Sequence, residues 1–147
     1  MSDQKSSISS AELEAVQQRV EQQPFTRLLQ AKVTAIGPNS CELKVSIREE
    51  LLQQHGFLHG GVISYAADNA LTIAAAIAMK APVVTSEFKI NYLRPGQGDF
   101  IVARASCVHA GRSQGVSRCD IFIVRDGVEK LCAVAQGTIS LLAKPKA

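Results

Sequence analysis

At 147 residues, with 46% hydrophobic and 20% charged positions, the chain has the length of one domain and the balance of an ordinary globular protein rather than a disordered one. Sixteen Lys and Arg against thirteen Asp and Glu leave +3 with no run of five or six like charges, which is weak evidence for nucleic acid and suits a small phosphate-bearing ligand equally well. Cys41, Cys107, Cys119 and Cys132 form no CxxC pair, so neither a metal cluster of that spacing nor a disulfide framework is expected, and the polar N-terminus fits a reducing cytoplasm.

Ser9 or Ser10 caps a first amphipathic helix reaching about Gln22, and Pro24 opens a short second one through PFTRLLQ; residues 1–30 read as a helical extension and 31–147 as the main domain. A strand near Lys32 to Ile36 turns through Gly37-Pro38-Asn39-Ser40 into a second. There Cys41, Leu43, Val45 and Ile47 alternate with Glu42, Lys44 and Ser46. After the loop REELLQQHGFLHGG, residues Gly60 to Met79 form a long apolar helix with Asp68 and Asn69 at its middle. A charge there is costly in a bilayer, so this helix reads as a buried core element and no membrane is expected. Beyond Pro82 come further strands: Phe88, Ile90 and Tyr92 alternating with Glu87, Lys89 and Asn91, then runs near 100–109, 115–125 and 129–141, with Asp126-Gly127 a hairpin signal. About six antiparallel strands and one central helix predict an α+β fold, with a second subunit covering what one sheet leaves bare.

The stretch Gln53 to Asp68, QQHGFLHGGVISYAAD, carries the most chemistry. Gly60 and Gly61 open a helix, where glycine is a poor choice unless the backbone must be approached closely. Their N–H groups lie at the positive end of the helix dipole and can stabilise an oxyanion; the plainer alternative is a packing turn. Asp68 suits a general base or nucleophile, or else a side chain that caps a neighbouring loop. It stands eight residues, or about 12 Å, beyond Gly60, too far for one chain to use both on one carbonyl. A two-fold dimer with adjacent helices would bring them together twice.

HGFLHGG followed by Asp68 nine residues after His59 resembles the hotdog-fold acyl-CoA thioesterases, especially the phenylacetate-degradation type, over roughly Pro24 to Leu142. The resemblance implies a hotdog fold, an antiparallel sheet of about six strands wrapped around one long helix. It implies Asp68 as catalytic carboxylate and Gly60 as the oxyanion donor, with His59 at the motif histidine and Gly61 supporting the turn. Gln53 stands where the family often has Asn, and Thr85 where relatives carry a hydroxyl that orients water. Asn91, Tyr92, Arg94, Gly111, Arg112 and Ser113 fall where the family binds the CoA nucleotide, the arginines facing phosphates unless they are plain surface charges. The implied partner is an acyl-CoA substrate, on a homodimer or a tetramer of two dimers, with no separate cofactor.

His55 and His59 lack the Glu of HExxH, Gly96-Gln97-Gly98 lacks a strand-to-helix setting, and no GxSxG occurs, so zinc, dinucleotide and serine-hydrolase readings fall behind. Two alternatives stay open: a hotdog dehydratase or hydratase using His59 with Asp68, and a non-catalytic acyl-CoA-binding module.

Overall fold

The computed structural model describes residues 8–143. Its elements in chain order are α1 (Ser10–Glu21), α2 (Pro24–Leu29), β1 (Lys32–Gly37), β2 (Ser40–Ser46), a single 3₁₀ turn (Glu49–Leu51), α3 (Gly60–Met79), β3 (Val83–Tyr92), β4 (Phe100–Ala110), β5 (Gln114–Arg125) and β6 (Val128–Leu141).

Each boundary has a local cause. Ser9 caps α1 in a capping box, its hydroxyl accepting from the Glu12 N–H while the Glu12 carboxylate accepts from the Ser9 N–H. Pro24 starts α2 at a position where its missing N–H costs nothing. The Arg48 guanidinium then donates to the Leu28 and Leu29 carbonyls, which the end of that helix would otherwise leave bare. Asp126 and Gly127 both adopt positive φ, 49° and 77°, as a two-residue turn between right-twisted strands requires.

The six strands form one antiparallel sheet in the order β1-β2-β4-β5-β6-β3, so β3 leaves α3 and returns to the far edge beside β6. One face of the sheet buries α3. Ala66, Ala67, Ala70, Ala74 and Ala75 of the helix are inaccessible to solvent. Their small side chains let the backbone approach Leu43, Ile101, Ile121 and Ile139 closely. The extension is not a separate body: Val20 and Leu29 join the same core, and the Gln17 side chain donates to the Val33 carbonyl.

One irregularity positions a candidate site residue. The β3–β6 ladder slips between Thr85 and Glu87, pairing Thr85 with Ile139 and Glu87 with Thr138, so Ser86 is an extra residue. Such a bulge reverses side-chain alternation. Phe88 and Ile90 pack against the core by even-numbered alternation, which would send Thr85 to the outer face. The bulge instead turns Thr85 toward α3.

Candidate active site

The backbone enters α3 through His59, an N-cap in extended conformation whose Nδ1 accepts the Gly61 N–H at 2.8 Å. A Cβ on Gly61 would stand 2.9 Å from that nitrogen, so only glycine permits the cap. The sequence treats Gly60 and Gly61 as two bare donors. The structure separates them: Gly61 is occupied by His59, while the Gly60 N–H has no acceptor among the described residues. The Gly60 carbonyl accepts from Tyr92 Oη at 3.0 Å, which fixes this peptide against the end of β3.

Gly60 lines a cavity of about 420 Å³ with Gln53, Phe57, Ile63, Tyr92 and Arg94. Gln53 Oε1 is taken by the His55 backbone N–H, which leaves its Nε2 as the donor end. Through Phe57, Arg94 and Pro95 this cavity adjoins another of about 520 Å³ that adds Arg125 and Lys130. Arg94 Nε donates to the Leu131 carbonyl at 2.8 Å, holding the guanidinium at the junction. Arg125 and Lys130 were not singled out from the sequence. The signal for them was only that Asp126-Gly127 folds their strands back on each other beside Arg94.

Asp68 lies elsewhere. With Thr85, Thr72, Ser64, Gly61, Tyr65 and Phe88 it lines a cavity of about 520 Å³ that shares no residue with the one at Gly60. Thr85 Oγ1 donates to Asp68 Oδ1 at 2.6 Å, and Thr72 Oγ1 lies 2.8 Å from Thr85 Oγ1 and 2.7 Å from the Asp68 carbonyl. Two hydroxyl protons serve these three contacts, so Thr72 divides its proton between the Thr85 oxygen and the helix carbonyl. Thr85 therefore orients the carboxylate directly, and Oδ2 has no partner among the described residues. Thr72 was missed, although a hydroxyl four residues after an acid shares its helix face. Beside this trio Thr26, Tyr65 and Asn69 form a hydrogen-bonded row, Tyr65 Oη standing 2.7 Å from Thr26 Oγ1 and accepting from Asn69 Nδ2 at 2.9 Å. Burial raises the Tyr65 hydroxyl pKa, so this row stays neutral.

The remaining expected residues are dispersed. His59 is exposed and lines neither cavity. Asn91 lies on the other face of β3 from Tyr92, in a shallow pocket with Lys89, Arg118 and Asp120. Gly111, Arg112 and Ser113 form the β4–β5 turn, beside Gly115, whose Cβ would meet Met79 at the last residue of α3. That is the helix end opposite Gly60, about 30 Å away along twenty residues. Within one chain these three residues do not meet Arg94.

Comparison with known proteins bears on this geometry. A family model described as the thioesterase superfamily matches residues 55–130. A thioesterase family protein from Silicibacter pomeroyi superposes with a TM-score of 0.84 at 34% identity, over 89% of this chain and 98% of that one. A variant of the phenylacetic acid degradation protein PaaI from Thermus thermophilus gives 0.71 at 32% identity, over 81% and 99%. Among curated proteins, a 1,4-dihydroxy-2-naphthoyl-CoA hydrolase of Listeria monocytogenes is 27% identical over 117 residues, 78% of this chain and 93% of that protein.

Proposed function

Since the chain belongs to the thioesterase superfamily of hydrolases and has the hotdog fold, we propose that it hydrolyses an acyl-CoA thioester to the free acid and CoA, at a site composed from two copies of the chain. The observation that carries this reading is the division of the machinery. The unpartnered Gly60 N–H and the Gln53 amide face one cavity, while the carboxylate held by Thr85 faces another. Neither cavity alone has both the donor and the acid that acyl transfer needs.

A second copy supplies what is lacking. Among the described residues β3 pairs only with β6, so its other side is an edge ten residues long, without proline and with Val84, Tyr92 and Leu93 exposed on or beside it, the kind of edge that pairs with another strand. Pairing two β3 edges about a two-fold axis sets the Asp68 of each chain toward the Gly60 of the other.

In that site the thioester carbonyl accepts from the Gly60 N–H at the positive end of α3. Asp68 takes a proton from attacking water or attacks the carbonyl itself. The tetrahedral intermediate then expels the CoA sulfur, which leaves as thiol with the proton taken from water. Where Asp68 attacks directly, expulsion leaves an acyl anhydride on Asp68, and a water hydrolyses it to the free acid and supplies the thiol's proton. CoA phosphates lie against Arg94, Arg125 and Lys130. Arg112 reaches this site only from the second subunit. His59 serves the cap, and its place outside both cavities favours hydrolysis over a hydration needing a His59–Asp68 pair. The four buried thiols suit a reducing cytoplasm, where we place the enzyme.

The test is free-thiol release from a panel of acyl-CoAs by wild type and Asp68→Asn. A loss of roughly two or more orders of magnitude in kcat with the fold retained supports the reading. Release untouched by the substitution removes Asp68 from the mechanism.

A further inference from the structure

The Asp68 cavity does not end at Asp68. Gln23, Asn69, Thr72 and Val83 also line a second compartment of about 750 Å³, so the two spaces adjoin across these four side chains. Positions 69, 72, 73, 76 and 77 of α3 form its floor, one continuous helix stripe. Its lining is mostly aliphatic: Val16 and Val20 from α1, then Ile73, Ala76 and Ile77 from α3 and Pro82 after it. Ala76, bearing only a methyl group, leaves the groove open where a larger residue would fill it. Lys80, exposed at the end of α3, marks the far limit.

We propose that the acyl chain of the substrate runs from Asp68 along α3 beneath α1, so that the enzyme takes unbranched medium- or long-chain acyl groups and the N-terminal helix sets their length. This rests on the thioesterase reading and adds the substrate class to it. From Asp68 to Ile77 is nine residues, about 13 Å of helix axis, a run that suits an extended hydrocarbon chain. A short aryl group would fill the first compartment, among Phe25, Tyr65 and Phe88, and leave the aliphatic one empty. Two hydrogen bonds cross the junction region: Thr26 Oγ1 donates to Gln23 Oε1, and Asn69 Nδ2 donates to Tyr65 Oη. A methylene chain lying beside them leaves both bonds in place.

The experiment uses two unbranched ligand series from acetyl to palmitoyl length, acyl-CoA esters for turnover and the corresponding S-alkyl-CoA thioethers for binding, with wild type, Ala76→Phe and Val16→Trp. The second variant fills the same space from the half-buried face of α1, in case the core substitution fails to fold. In wild type, kcat/KM and thioether affinity should each rise about fourfold per added methylene until the compartment is filled. Both variants should abolish that rise, with the largest losses for the longest chains. Thiol release with a flat length profile, or with a profile that neither variant alters, overturns the channel and leaves the thioesterase reading standing. Length-dependent thioether binding that the variants abolish, without any thiol release, supports the channel and overturns the catalytic reading. Neither turnover nor length-dependent binding overturns both.

Discussion

The Asp68 carboxylate is tolerated in an apolar helix because Thr85 bonds one of its oxygens, and the same bond fixes where the other points. Thr85→Val should therefore lower kcat by about tenfold, well short of the Asp68→Asn loss, with KM for a short acyl-CoA little changed. Steady-state kinetics on the two variants checks the order; equal losses would make Thr85 a reactive group in its own right. At the other half-site, His59→Ala orphans the Gly61 N–H and should cost about 1 kcal/mol of stability, read as a shift in denaturant midpoint. Asp68 and Gly60 stand out in the sequence as candidates because each is a poor choice for its place, an acid in an apolar helix and a glycine at a helix start; His59 is marked only by the family motif. Thr72, Arg125 and Lys130 do not stand out, since nothing in a hydroxyl or a strand cation marks the neighbour that folding brings to it.

At the scale of elements, the helices and strands follow from period, cap and turn, and their limits fall close to where those signals put them. The Ser86 bulge is the exception. Strict alternation from Phe88 to Tyr92 puts Thr85 on the outer face, and no residue type in VTSEFK announces the extra position. Deleting Ser86 should remove the bulge yet leave Thr85 two positions before Phe88, still facing Asp68. The expected result is a folded protein with kcat near wild type; a loss like that of Thr85→Val would mean the bulge itself sets the hydroxyl's position. On the outer face, Arg104 of β4 reaches Glu42 of β2 at 2.8 Å and Glu129 of β6 at 2.6 Å, over the Phe122 ring of β5. For Glu42 burial opposes ionisation, but hydrogen bonds from Arg104 and Thr34 outweigh it and lower the pKa; for Glu129 the Arg104 bond leads. Because both folded-state values lie below the ordinary one, this stabilisation is present above about pH 4.3 and lost as pH falls through the depressed values. The thermal midpoint should drop more steeply on acidification in wild type than in Arg104→Met.

Across the whole molecule, the sheet order carries what no local pattern does: β3 leaves α3 and crosses to the edge beside β6, which exposes the strand next to Asp68 for pairing. All four cysteines are buried, and burial raises the thiol pKa of Cys41 to about 12 and also lifts those of Cys119 and Cys132. A thiol reagent should therefore count close to none of them in the native protein and all four after unfolding, so thiol-release assays read the product alone. The split of Gly60 and Asp68 between two cavities follows from the 1.5 Å rise of one helix, and the spacing in the sequence already implies it. Whether a second chain closes the site is a question about assembly. Gly60→Pro addresses it cleanly, for proline suits the first position of a helix and His59 already has the extended backbone, φ −61° and ψ 134°, that proline demands of its predecessor. The substitution removes the N–H, and its added Cβ would stand 3.4 Å from the Tyr92 ring, an ordinary contact distance. Differently tagged Gly60→Pro and Asp68→Asn chains, co-expressed and purified as mixed dimers, give the most direct measurement. Each parent homodimer should be inactive, and the mixed dimer, with one intact composite site of two, should recover about half of the wild-type turnover. A mixed dimer as inactive as its parents would contradict a site shared between chains.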